Sequence, residues 1–338
     1  MSRKEQAKDY ILHLIEQKER HYAAKAAETL SISRSTIYNY VSELLKDGLI
    51  TKDEAGNYAL AIKSVPFSYK NEQLREERVF DRDIKPLVSD LPANVFEAWR
   101  YAFSEMLNNA IEHSEAGVIT CKVDRTPLST KITLMDNGVG IFNKIRQYFI
   151  SEHNEDYSLE ECMSLLFAGK FTTAKERHSG EGIFFTSHLM DAFYILSDNL
   201  LFTRNNFVEG YVNAEIIPAG TLVSMELSNK SHKTVREVFG RYSNIEEGFN
   251  RTSVPIVHMF ANGYPVSRSE ARRLGAMLSQ FREAVLDFSG VQNVGQAFVH
   301  ELFIVWQKDC PHTKLTLVNM SEDVEFMIKR TLAPAQNT

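Results

Sequence analysis

Glu105 and Asn109 stand four residues apart in SEMLNNAIEHS (104–114). Met106, Leu107, Ala110 and Ile111 repeat at helical spacing, so this segment is predicted to be a helix with both polar side chains on one face. A carboxylate beside an amide oxygen suits a hydrated magnesium ion, or a water about to be deprotonated. The strand-like run KITLM (131–135) then turns abruptly at Asp136-Asn137-Gly138 within MDNGVGIF (135–142). A carboxylate at a strand end can accept a hydrogen bond from an exocyclic amine. Gly138 and Gly140 can take positive φ and let a ligand approach the backbone. Finally, RHSGEGIFFTS (177–187) sets Gly180 and Gly182 directly before an apolar helix. The free N–H groups at such a helix start suit a polyphosphate.

These residues need a scaffold, and residues 85–228 are predicted to supply it. PANVFEAWRYAFSEMLNNAIEHS reads as one long buried helix starting near Pro92, and strands are expected at VITCKV, KITLMD, FYILSD, NLLFTRN, FVEGYVNAEII and TLVSMEL. The predicted product is an α/β sandwich, a mixed and largely antiparallel sheet with helices on one face. No strand is expected between Ile141 and Gly180. The polar stretch FTTAKERHSGEG in that interval is a candidate lid.

The three glycine- and acid-bearing segments resemble the N, G1 and G2 boxes of the Bergerat-fold (GHKL) ATPases, as E-x-x-x-N-A, D-x-G-x-G and G-x-G. PAGTLVSMEL (218–227) resembles the Gly-Thr strand that closes their nucleotide pocket. Four boxes in that order carry more weight than any one of them. The resemblance implies ATP and Mg2+ as ligands. Asn109 would hold the magnesium. Asp136 would read the adenine amino group, directly and through a water shared with Thr221. Gly138 and Gly140 would lie close to base and sugar, Gly180 and Gly182 around the phosphates, and Thr173, with Thr172 and Lys175, near the γ-phosphate. Glu105 would be the general base of hydrolysis or, in kinase-like relatives, would polarise an acceptor hydroxyl. Slow hydrolysis, protein serine kinase activity of the anti-sigma-factor type in trans, and a nucleotide-bound switch without turnover all stay open.

The flanks give a multidomain α+β chain. Residues 1–62 read as a winged helix-turn-helix, with a third helix at RSTIYNYVSELLKDGLI and a two-strand wing around Gly56. Ile37, Val41, Leu44 and Leu45 are its expected buried stripe. Arg34, Ser35, Thr36, Tyr38 and Asn39 are left toward solvent, where such modules meet DNA. Nine Lys/Arg against nine Asp/Glu give residues 1–62 a net charge of zero. DNA affinity is therefore expected to be modest unless a homodimer presents two modules. Residues 63–84, with Pro66 and the charged run KNEQLREERVFDRD, read as a solvated linker without the helix-borne His of a phosphoacceptor. Residues 229–250 read as a connector. Residues 251–335 alternate strand and helix, predicting a small, mostly parallel sheet. This last part resembles the STAS-like DUF4325 domain and implies a protein partner. Val294 to Phe298 stand where the anti-sigma-antagonist relatives carry a phosphorylated Ser, and offer no hydroxyl.

Composition bounds the rest. The chain has 338 residues, 43% hydrophobic and 24% charged, with net charge −6, which is ordinary globular material for two or three domains. Cys121, Cys162 and Cys310 form no C-x-x-C pair, so neither a zinc site nor a disulfide framework is indicated. No apolar run is long enough to span a bilayer, and MSRKEQAKDY has no apolar signal core. A cytoplasmic location is expected.

Overall fold

A computed structural model of the chain describes residues 2–169, 180–205, 209–210, 219–244, 248–260 and 263–333. The candidate lid residues Thr172, Thr173 and Lys175 lie outside the described residues, as does most of the expected strand at FVEGYVNAEII.

At the N-terminus, helices Arg3–Glu16, Tyr22–Leu30 and Arg34–Lys46 precede a hairpin of β1 (Ile50–Lys52) and β2 (Tyr58–Leu60). Ser2 and Glu5 form a reciprocal capping box at the first helix, and Ser33 caps the third by accepting from the Thr36 N–H at 3.2 Å. Ile37, Val41 and Leu44 are buried, but Leu45 is 40% exposed. The i, i+4, i+7 stripe stops at Leu44, and the next residue is turned about 100° away from it.

The centre of the molecule is a seven-stranded sheet. Its strands are β3 (Lys63–Lys70), β4 (Val118–Arg125), β5 (Ser129–Asp136), β6 (Ala192–Ser197), β7 (Leu200–Asn205), β8 (Glu209–Gly210) and β9 (Thr221–Ser228). They lie in the order β3-β4-β5-β9-β6-β7-β8. Every described pairing in this sheet is antiparallel. The expected mixed sheet is corrected accordingly: β9 enters between β5 and β6 and runs against both.

The expected linker at 63–84 is also corrected. Lys63–Lys70 pairs along its whole length with β4, turning Val65, Phe67 and Tyr69 toward the helices. Pro66 is compatible with this place because β3 is an edge strand. Residues 76–88 are helical through a π turn at Phe80–Ile84, burying Val79, Phe80, Ile84 and Val88. The charges of that run decorate one face and hide an apolar one. Arg125 fastens the segment to the sheet by two bonds to the Asp90 carboxylate, at 2.6 and 2.7 Å, and one to the Leu87 carbonyl at 2.7 Å.

One face of the sheet is covered by the helix Ala93–His113, with helices Ile141–His153, Leu159–Ala168 and Gly182–Leu189 beside it. The long helix buries Val95, Ala98, Trp99, Ala102, Phe103, Met106 and Leu107, a three-and-four repeat that lays one stripe on the sheet. Ile119, Cys121, Val123, Ile132, Leu134, Met225 and Leu227 meet it from the strands.

The helix Val235–Tyr242 and a short hairpin of β10 (Ser243–Asn244) and β11 (Gly248–Phe249) lead to the last unit. There β12 (Arg251–Pro255), β13 (Glu283–Asp287) and β14 (Lys314–Val318) form a parallel sheet. Helices Arg268–Leu278, 296–309 and Glu322–Leu332 accompany it. The apolar core runs unbroken from the central sheet into this unit, while the N-terminal module has its own. Phe249 bridges the two: its ring centre lies 4.7 Å from Phe184 and 5.2 Å from Phe281. The N-terminal module is joined differently. Leu128, in the β4–β5 turn, is buried in that module's core, and Lys230 pairs with Asp9.

Candidate functional site

A cavity of about 260 Å3 opens between the helix layer and the sheet. Glu105, Asn109 and His113 line it from the long helix at one-turn spacing, and Asp136, Gly140 and Thr221 line it from the sheet. Gly180, Glu181 and Gly182 close the far side. The structure thus brings together eight residues singled out from the sequence: Glu105, Asn109, Asp136, Gly140, Gly180, Gly182 and Thr221 on the wall, with Gly138 immediately behind.

Asp136 is 6% exposed at the end of β5. Its Oδ1 accepts from the Gly138 N–H at 2.9 Å and the Thr221 N–H at 3.3 Å, and its Oδ2 accepts nothing among the described residues. One oxygen is therefore spent on shaping the turn, and the other keeps its acceptor capacity in a residue that lines the cavity. Burial raises the carboxyl pKa above the usual range, against the pull of the two N–H donors, and the nearby Asp198 charge raises it further.

The glycines have reasons beyond ligand approach. A β-carbon on Gly138 would run into the backbone carbonyl of Ser114, at the end of the long helix, and one on Gly220 into the carbonyl of Asp136. At Gly140, where φ is +83°, it would run into the Asp198 carboxylate. At Gly182 it would meet the Glu105 carboxylate, which lies against the first turn of the Gly182–Leu189 helix. The N-cap residue of that helix, Glu181, makes no side-chain bond to its first N–H groups. Gly180 has φ of +73°, a left-handed turn that an L side chain would strain.

Several contributors were not singled out from the sequence. Lys144, one turn into the Ile141–His153 helix, lines the cavity and pairs with Glu115. Glu181 puts a second carboxylate beside Glu105. Burial, and then these two carboxylates, push the Tyr101 hydroxyl pKa up. Ser197 and Asp198, at the end of β6, hold the G1 turn from behind. Of these, only Lys144 and Glu181 sit inside or next to a box, where their position could have drawn notice.

An acid on the wall of a small cavity, with an amide and a carboxylate one helical turn apart beside it and a helix start across from it, sits on an antiparallel α/β sandwich. Residues 67–201 match the family model described as a histidine kinase-like ATPase domain, which implies ATP as ligand, usually with Mg2+. The match begins inside β3, consistent with that strand belonging to the sheet. Residues 271–325 match the STAS-like domain of unknown function (DUF4325). No curated protein matches the chain. Among the described residues no helix is long and apolar enough to cross a membrane.

Proposed function

We propose that this chain is an ATP-binding regulator in which Mg-ATP, with slow hydrolysis, changes how its two flanking units dock. The observation that carries the reading is the buried Asp136 carboxylate on the cavity wall, with one oxygen bound to backbone and the other accepting nothing among the described residues. Asp136 would take the adenine amino group and Thr221 would support it. Asn109 would hold magnesium, which would supply charge neutralisation at the phosphates. Gly180 and Gly182 would offer backbone N–H groups to them, and Thr173 would lie near the γ-phosphate. Glu105 would orient or deprotonate the attacking water.

Two mechanical links support the switching part. Strand β5 runs from the Leu128 turn, buried in the N-terminal module, to Asp136 in the pocket. The Gly182–Leu189 helix starts at the phosphate glycines and packs Phe184 and Phe185 onto Phe249, the ring that touches the C-terminal unit. The N-terminal module would act as a winged helix on DNA. Arg34, Ser35, Tyr38 and Asn39 are exposed on its third helix, with Thr36 half-buried beside them. The C-terminal unit would engage a protein partner.

The test uses γ-labelled ATP with the parent and Glu105→Ala, with and without a STAS-domain partner. Free phosphate that disappears in the variant supports hydrolysis, and label on the partner would replace this reading with a protein kinase. Salt-sensitive retardation of duplex DNA that Arg34→Ala weakens is expected, and none at low salt would remove the DNA part.

A further inference from the structure

The β6–β7 connection is two residues long, Asp198 and Asn199, with φ of +52° and +62°. That is the turn class in which Asp and Asn tolerate left-handed backbone. The turn lies directly behind the G1 glycines. Asp198 Oδ2 accepts from the Phe142 and Asn143 N–H groups, each at 3.1 Å, and from the Ser197 hydroxyl at 2.9 Å. The Ile141 N–H is shared between Ser197 Oγ and Thr221 Oγ1, both at 3.0 Å. The same Ser197 proton also has the Gly220 carbonyl within reach, at 3.0 Å, as an alternative acceptor. Three side chains from β6, its turn and β9 thus close the start of the Ile141–His153 helix.

Two helices start at this cavity, and they differ. The one after Gly140 has its first N–H groups committed to Ser197, Asp198 and Thr221; the one at Gly182 takes no such bond from its own N-cap residue, Glu181, and has the Glu105 carboxylate against its first turn. A charged tail gains nothing at a start whose N–H groups are already satisfied.

We propose that Asp198, together with Ser197, is a positioning residue of the nucleotide site, sealing the G1 helix start so that the base seats at Asp136 and the phosphates run toward Gly182. The proposal rests on the nucleotide reading above. Asp198 reaches the ligand only through Gly140, Ile141 and Asp136, and a β-carbon on Gly140 would leave no room for its carboxylate. Its charge also adds to burial in raising the Asp136 pKa. The other charged groups on the cavity wall are Glu105, Glu181 and Lys144, the last paired with Glu115, with His113 as a titratable neighbour.

The experiment compares full-length parent, Asp198→Ala and Asp198→Asn by calorimetry with Mg-ATP between pH 5 and pH 8, alongside thermal midpoints without nucleotide. Asp198→Ala is expected to bind roughly ten- to a hundredfold more weakly, the loss of charge-assisted caps. Asn keeps an oxygen acceptor for the two N–H groups, so Asp198→Asn should stay within about threefold of the parent at neutral pH. With the neighbouring charge removed, it should also hold its affinity to lower pH than the parent. Asp198→Ala binding like the parent overturns the proposal. So does a loss of stability in both variants with no change in affinity or pH profile. A folded parent that gives no heat with Mg-ATP overturns the nucleotide reading itself, whereas a binding parent with indifferent variants overturns this inference alone.

Discussion

Replacing Asp136 by Asn changes one atom type in a place where the neighbours dictate the outcome. The Gly138 and Thr221 N–H groups hold one carboxylate oxygen, at 2.9 and 3.3 Å. An asparagine oxygen will take that place, which turns the amide nitrogen into the cavity, donor against the donor of an adenine amino group. The loss combines a charge-assisted hydrogen bond, about 1.5–3 kcal/mol, with an unsatisfied polar group, about 1–3 kcal/mol. Taking the lower half of those ranges, about 2.5–4 kcal/mol, Kd for ATP should rise roughly 10²- to 10³-fold. Stability should move the other way. A carboxyl whose folded pKa is raised above its unfolded value favours the fold at low pH, and that contribution is lost as pH rises through the folded value. At neutral pH the parent therefore carries a buried charge that Asn does not, and the nucleotide-free thermal midpoint should stay level or rise. By the same linkage, ATP affinity of the parent should increase with pH through the raised Asp136 pKa, because the ligand binds the ionised form. Calorimetry and thermal melting of both proteins decide the matter. ATP binding within about threefold of the parent, or a clearly lowered midpoint, would refute the argument; the threefold margin is under about 0.7 kcal/mol.

Gly138→Ala should lose stability by about 1–3 kcal/mol in urea unfolding, because the new methyl meets backbone at Ser114 rather than a side chain that can move. Gly182→Ala presents the opposite case: its methyl meets the flexible end of Glu105, so the fold should survive while phosphate release falls to the level of Glu105→Ala. Phe249→Ala empties a site 3% exposed between three rings and should cost about 3–5 kcal/mol in chemical unfolding, loosening the C-terminal unit with the nucleotide domain. Cys121 and Cys162 are buried, and burial pushes both thiols up to about 12, so neither should react with a thiol reagent in the native protein at neutral pH. Rapid labelling at either position would contradict that.

Much of the pocket was legible because its parts are local. Glu105 and Asn109 share a helix face by spacing alone, and the apolar repeat of 95 to 107 dictates that the helix be buried. The alternation in β4 and β5 tells which side chains meet it, and the turn at Asp136 follows from the glycines that end the strand. The parallel β12-β13-β14 unit was legible for the same reason, as strand and helix alternate along it.

Tertiary structure decided what depends on partners distant in the chain. Charge density made 63–84 look solvated, yet Phe67 and Tyr69 find an apolar face that exists only once β4 and the long helix are in place. Leu45 fits a stripe on paper, but the hairpin and first helix fill their core without it. The glycines could be read as room for a ligand, whereas Ser114, Asp198 and Glu105 are what crowd them. Asp198 carries no motif at all: it reaches Phe142 and Asn143 only because β9 crosses between β5 and β6 and brings residues 56 and 55 positions apart within hydrogen-bond distance. Local spacing names the candidate groups; which Asp136 oxygen the backbone holds, and which side chains close the start of the Ile141–His153 helix, is set by strand order.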